Sequence, residues 1–196
     1  MDIPRSLIDK VIKYKYKDKI VFKEITYIKA VRDFFEFLKK EIIKGSLKKE
    51  NLYAVLTYII HPYCKKYKKA MVGNELIIKY VSSYIKKRLE YMIEIPNLEV
   101  VNIDIPYILN LKPGLKFYGD CDDTAFLICT IFIIINKWYQ LGMRISLTFT
   151  SHMKGKNLHH AYSEIELKNG KKFIIDLVRK EKKKLPIYAR ISYTFK

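Results

Sequence analysis

Glycine and proline are scarce in this 196-residue chain, at seven and six residues, which argues against a long flexible linker. Cysteine is scarcer still. Three cysteines, an odd number set far apart, provide no disulfide framework and point to reduced thiols in a cytoplasmic compartment. Long apolar runs are missing too: the longest, Ala125 to Ile135, is closed by Asn136 and Lys137 and is too short to span a bilayer, so no membrane span is expected. The first residues, Met1-Asp2-Ile3-Pro4-Arg5-Ser6, lack the apolar core of a signal peptide. Acidic side chains are outnumbered, 20 against 38 basic ones, and no named nucleic-acid-binding motif appears.

What remains is a basic chain with ample material for a core. The hydrophobic content of 49% and the length suit one domain with an extension. The net charge of +18 would attract nucleic acid, anionic membranes or acidic proteins. The plainer account is a solvated lysine coat. Three stretches, Ile20 to Lys44 (closed by Gly45), Glu50 to Lys69 and Asn74 to Met92, repeat apolar and aromatic residues at helical spacing. Residues 1–73 therefore read as an amino-terminal helical extension or cap, and 74–196 as the main domain. Asn97 to Tyr118 reads as a long connection with little regular structure.

Gly119-Asp120-Cys121-Asp122-Asp123 is the stretch that carries chemistry. An apolar helix reads from Thr124 to Leu141, placing Cys121 at its start, where unpaired backbone N–H groups and the positive end of the macrodipole favour a thiolate. Downstream, His160 to Leu167 and Lys171 to Val178 read as two strands joined at Lys168-Asn169-Gly170. The turn decides whether histidine and aspartate can meet. A two-residue turn puts His160 and Asp176 on opposite faces of the sheet. A three-residue turn with Gly170 at positive φ sets Leu167 opposite Lys171 and Asp176 opposite Tyr162, on the His160 face.

These elements together resemble the transglutaminase-like superfamily of papain-like thiol enzymes, of the kind seen in bacteria, archaea and phages. The resemblance runs through Gly119-Asp120-Cys121-Asp122-Asp123, the helix ending at Leu141-Gly142-Met143, a strand near Arg144 to Phe149, His160-Ala161-Tyr162 and Asp176. Ile105-Pro106-Tyr107 extends it weakly upstream, so it covers roughly residues 75 to 180. It implies an α+β fold, with the cysteine-bearing helix packed on a small antiparallel sheet. That sheet would use roughly Met143 to Thr150, Leu158 to Leu167, Lys171 to Val178 and a last strand near Leu185 to Thr194. The implied activity is hydrolysis or transfer of an amide acyl group from a protein or peptide substrate, with no cofactor. A phage or viral member would be virion-associated.

The implied roles follow from the chemistry. Cys121 attacks an acyl carbon, His160 moves the proton, and Asp176 holds the imidazole tautomer. The oxyanion would be met by the Cys121 backbone N–H and by a side chain from upstream, Tyr118, Tyr107 or Asn110. Gly119, Asp120, Asp122 and Asp123 are local organisers, the carboxylates capping the helix start while opposing ionisation of the thiol. Glu164 shares the His160 face and would pair with a lysine; His159 alternates to the other face. Taken alone, Cys121 reads first as a core cysteine, and it is the surrounding pattern that turns the reading to chemistry. Cys121, Cys129, His160, His61 and Cys64 lack the paired short spacings of a zinc site, so no metal is expected. Two rivals stand beside the enzyme: a non-catalytic structural or assembly protein keeping the fold, and a basic nucleic-acid-binding module.

Overall fold

The computed structural model describes residues 15–16, 19–23, 36, 39–67, 75–91, 98–102, 112–151, 160–178, 187 and 189–195. In chain order they form strands β1 (Lys15–Tyr16) and β2 (Lys19–Lys23), then helix α1 (residues 39–46). Helix α2 (residues 49–67) carries a π-helical turn at Leu56–Ile60, and α3 (Glu75–Lys86) follows. Next come β3 (Leu89–Tyr91), β4 (Leu98–Asn102), β5 (Phe117–Gly119) and the central helix α4 (Cys121–Tyr139). The chain closes with β6 (Arg144–Ser151), β7 (His160–Glu166), β8 (Lys172–Ile175) and β9 (Ala189–Phe195). The architecture is α+β, and the described residues form three small sheets.

The principal sheet is antiparallel in the order β8-β7-β6-β9, and α4 lies against it. The isoleucine-rich run of α4 would suit a strand by propensity. Its ends decide for helix. Asp120 is the amino-terminal cap, its Oδ1 accepting the Asp122 N–H at 3.2 Å, and the Thr124 hydroxyl donates to the Asp120 carbonyl at 2.7 Å. At the other end Gln140 turns left-handed at φ 50°, and Gly142 follows at 65°. The middle is buried all round: Leu127, Ile128, Ile131 and Phe132 lose all contact with solvent. Each such side chain contributes about 1.5–3 kcal/mol, so Phe132→Ala alone would cost about 3–5 kcal/mol.

The β7–β8 hairpin has the three-residue turn. Glu166 pairs with Lys172 and Ser163 with Ile175, the Leu167 N–H donates to the Lys171 carbonyl at 2.9 Å, and Gly170 sits at φ 80°. Extending that register by one residue sets Asp176 opposite Tyr162. The strands begin and end within a few residues of those read from the sequence.

The amino-terminal half differs more. Residues 19–23, read as the start of a helix from Ile20, form β2 and pair antiparallel with β4. Their β-branched and aromatic content (Ile20, Val21, Phe22) matches an extended partner of the same kind, Leu98-Glu99-Val100-Val101-Asn102, and a short apolar run does not reveal its own period. In this stretch helix is described at residue 36 and again from residue 39, running past Gly45 to Ser46. The helix read as Asn74 to Met92 stops at Lys86, and Leu89–Tyr91 joins β5 in a parallel pair. The connection from Asn97 to Tyr118 likewise holds two strands, β4 and β5. Because β2 pairs with β4, backbone hydrogen bonds cross the boundary placed near residue 73. The buried core likewise runs from Ile42 and Tyr63 through α3 to α4 and the principal sheet.

Candidate active site

The short connection between α4 and β6 aligns the helix with the sheet. Asn136 brackets Met143, its Oδ1 accepting the Met143 N–H at 2.8 Å and its Nδ2 donating to the Met143 carbonyl at 3.1 Å. The chain thus enters β6 directly at Arg144, which pairs with Glu166 at the far end of β7. Helix α4 therefore runs antiparallel to β6 and alongside β7 in the same direction. Its length of about 28 Å nearly equals the eight-residue span of β6. The start of the helix and the start of β7 fall at one end of the molecule, and that end carries Cys121 and His160.

A buried contact pins this alignment. The Ser163 hydroxyl donates to the Ala125 carbonyl at 2.8 Å and accepts from the Cys129 thiol at 3.4 Å. The bond turns the Ser163 side chain toward α4, with Ala161 and Ile165 on the same face. His160, Tyr162 and Glu164 take the opposite face. Sequence reading passed over Ser163, yet a serine alternating with Ala161 and Ile165 on an apolar face is itself a signal of a buried polar tie.

On the opposite face, His160 Nε2 and Asp176 Oδ2 lie 2.7 Å apart, with side chains only 13% and 18% exposed. An aspartate accepting the Nε2–H leaves Nδ1 as the proton acceptor of the neutral ring. The Tyr162 ring stands beside the imidazole at 6.2 Å between centroids. Burial pushes the Tyr162 phenol above its ordinary range, so at neutral pH it remains a protonated wall of the dyad. Glu164 meets Arg190 of β9, not a lysine, and also accepts the Thr148 hydroxyl at 2.6 Å. The acceptor of that ion pair was legible in the sequence; its donor depended on which strand lies beyond β6.

At the helix start Cys121 is half-buried, while Asp122 and Asp123 are buried. Ligand atoms of Asp120, Cys121 and Asp122 lie within 4.8 Å of one another. Asp120 accepts the Asp122 backbone N–H, so its carboxylate organises the first turn of α4. Gly119 is buried, directly before the cap. The Cys121 N–H is at the helix start, where a developing oxyanion could be met. Tyr118 is exposed, and its hydroxyl donates to the Glu90 carboxylate across the β3–β5 pair. Tyr107 and Asn110, the other upstream donors considered, lie outside the described residues, as do His152 and His159.

The remaining cysteines have different surroundings. Cys129, two turns into α4, is wholly buried, and burial pushes its thiol up to about 12. Cys64 is half-buried on α2. Among the described residues no helix is long and apolar enough to cross a membrane. No protein-family model, no curated protein and no solved structure matches this chain.

Proposed function

We propose that this chain is a thiol acyl enzyme of the transglutaminase-like, papain-like type, acting on amide bonds of protein or peptide substrates through Cys121, His160 and Asp176. The observation that carries the reading is the 2.7 Å His160–Asp176 hydrogen bond at the same end of the molecule as the Cys121 helix start. It is supported by the turn at Gly170, which sets both partners on one face. Because that face is turned away from α4, thiol and imidazole would meet around the rim of the sheet.

The chemistry is as follows. The Cys121 thiol gives its proton to His160 Nδ1, and the sulfur lone pair forms an S–C bond as the carbonyl π pair moves onto oxygen. The oxyanion would accept the Cys121 N–H. Its collapse restores the carbonyl and breaks the C–N bond, and the leaving amine takes the proton from the imidazolium. The thioester is then attacked by water or by a second amine, whose proton passes to His160 and returns to sulfur as the thiol leaves. Asp176 holds Nε2–H throughout and stabilises the imidazolium.

The test is alkylation of the native protein with limiting iodoacetamide across a pH series, mapping Cys64, Cys121 and Cys129, with His160→Ala alongside. Preferential reaction of Cys121 below the ordinary thiol pKa of about 8.5, lost in His160→Ala, supports an activated pair. An inert Cys121 in the folded protein moves the reading to a non-catalytic scaffold of the same fold.

A further inference from the structure

The turn between α1 and α2 forms a corner whose inner and outer sides differ in character. Ile42 and Ser46 of α1 and Asn51, Ala54 and Val55 of α2 are buried. The Asn51 Nδ2 donates to the Gly45 carbonyl at 2.8 Å, and a Cβ at Gly45 would stand 3.8 Å from the Thr130 side chain of α4. The corner is thereby fixed against the central helix. Its outer side mixes lysine with large apolar side chains. Lys40, Ile43, Lys44 and Leu47 follow the i, i+3, i+4, i+7 spacing of one helical face, carried one residue past the end of α1, and all four are exposed. Leu47 is 59% exposed, and Tyr53, in the second turn of α2, is 66% exposed. Single exposed apolar side chains are ordinary, whereas three within residues 43–53 on one fixed corner mark a contact surface.

The charges at the corner break a second rule. A helix start favours small polar or acidic residues, because its unpaired N–H groups form the positive end of the macrodipole. Here Lys48 is the amino-terminal cap of α2, with no side-chain cap bond, and Lys49 is the first helical residue, against one acid in that turn, Glu50. Lys44 pairs with Glu41 at 3.7 Å, whereas among the described residues Lys40, Lys48 and Lys49 have no ion pair. Positive charge thus gathers around apolar side chains at the positive end of a helix, an arrangement that opposes local stability and suits a negative, apolar-accepting surface.

We infer that this corner docks on an anionic lipid bilayer. Ile43, Leu47 and Tyr53 enter the boundary between headgroups and acyl chains, and the surrounding lysines meet the lipid phosphates and carboxylates. Lipid is complementary to the corner on both counts. The outside of a helix–turn–helix corner is convex and offers a peptide no groove. Nucleic acid would use the lysines but leave Ile43 and Leu47 in water, and a second copy of a chain of net charge +18 would bring lysine against lysine. Tyrosine suits a headgroup layer, where one end of the ring is apolar and the other wet. Docking of this kind is peripheral and independent of the chemistry at Cys121.

The experiment is co-sedimentation of the full chain with vesicles of phosphatidylcholine alone and of phosphatidylcholine with about one-third phosphatidylserine. The expected result is binding at least about tenfold tighter to the anionic vesicles. Lys48→Gln with Lys49→Gln should weaken it about twentyfold, at roughly fivefold per lysine, and Leu47→Ser with Tyr53→Ser about tenfold. Leu47→Trp in a Trp138→Phe background keeps every charge and should show blue-shifted emission on the anionic vesicles. Absence of binding, equal affinity for the two vesicle types, or an unshifted emission overturns the inference. So does a loss confined to the lysine pair, which assigns the lysines to a general basic coat. Binding of a single-stranded oligonucleotide in place of anionic vesicles overturns it in favour of nucleic acid, and a dimer dispersed by Leu47→Ser overturns it in favour of a second copy.

Discussion

Cys121 and Cys129 are on the same helix, two turns apart, and their surroundings could hardly differ more. Cys121 opens α4, half-buried, at the end where backbone N–H groups have no helical acceptor. Cys129 is sealed in the core, its thiol donating to Ser163 and its ionisation pushed up to about 12 by burial. One helix thus carries a half-buried thiol at its start and, about 12 Å along its axis, a sealed thiol whose ionisation burial opposes. The lesson is that a cysteine's chemistry follows from its position relative to the helix ends and the sheet.

The largest expected effect breaks that comparison directly. At pH 8 a thiol titrating near 12 is ionised in only about one molecule in 10⁴. Native alkylation should therefore favour Cys121 over Cys129 by at least about 10³-fold, and peptide mapping before and after denaturation measures it. Comparable rates in the native protein would remove the contrast. Next is the dyad: His160→Ala should slow Cys121 alkylation at pH 6.5 on the order of 10²-fold, and Asp176→Asn should act in the same direction. Should His160→Ala leave the pH profile unmoved, Cys121 draws nothing from the imidazole.

Smaller effects sharpen the packing side of the comparison. Ser163→Ala removes the donor to the Ala125 carbonyl, which keeps its helical bond, and the acceptor of the buried Cys129 thiol. A loss of about 1–3 kcal/mol in chemical denaturation is expected. Cys129 also implies a pH dependence. Its folded pKa is raised, so its contribution is complete below the unfolded value near 9 and is lost as pH rises toward about 12. The phenols of buried Tyr63 and Tyr162 and of half-buried Tyr80, Tyr84 and Tyr139 are shifted the same way. Melting temperatures should fall from about pH 9 upward, and Cys129→Ala should flatten the first part of that fall. Last is Gly170→Ala: a Cβ there meets no atom within 4 Å, so only the strain of positive φ remains, about 1–2 kcal/mol in a thermal melt.

Much of the site was legible in the primary structure because its signals are local. The Asp120 cap and the apolar run after Cys121 announce the helix, and Asn169-Gly170 announces the turn whose length sets the register. Where residues 19–23 stand shows the opposite case. Lys19-Ile20-Val21-Phe22-Lys23 has no cap and too few residues for a period, so its conformation was decided by its strand partners, β1 just upstream and β4 nearly eighty positions away. The Arg190 partner of Glu164 and the Ser163 tie belong to the same class: each depends on which strand or helix lies alongside, which no local pattern encodes.

By itself, the chain's sequence determined the elements and the chemistry available to them. These were a thiol at a helix start, an imidazole and a carboxylate two strands on, a hairpin whose turn could place them on one face, and a lysine-rich exterior. Tertiary structure decided the rest. The tight α4–β6 connection brings the Cys121 and His160 ends together, and pairing of β7 with β8 closes the imidazole on Asp176 at 2.7 Å. The parallel β3–β5 pair sets Tyr91 opposite Gly119, just ahead of the α4 start. The physical reason is range: caps, turns and periodicity act over three or four residues, whereas strand order and helix placement minimise exposed apolar surface over the whole chain.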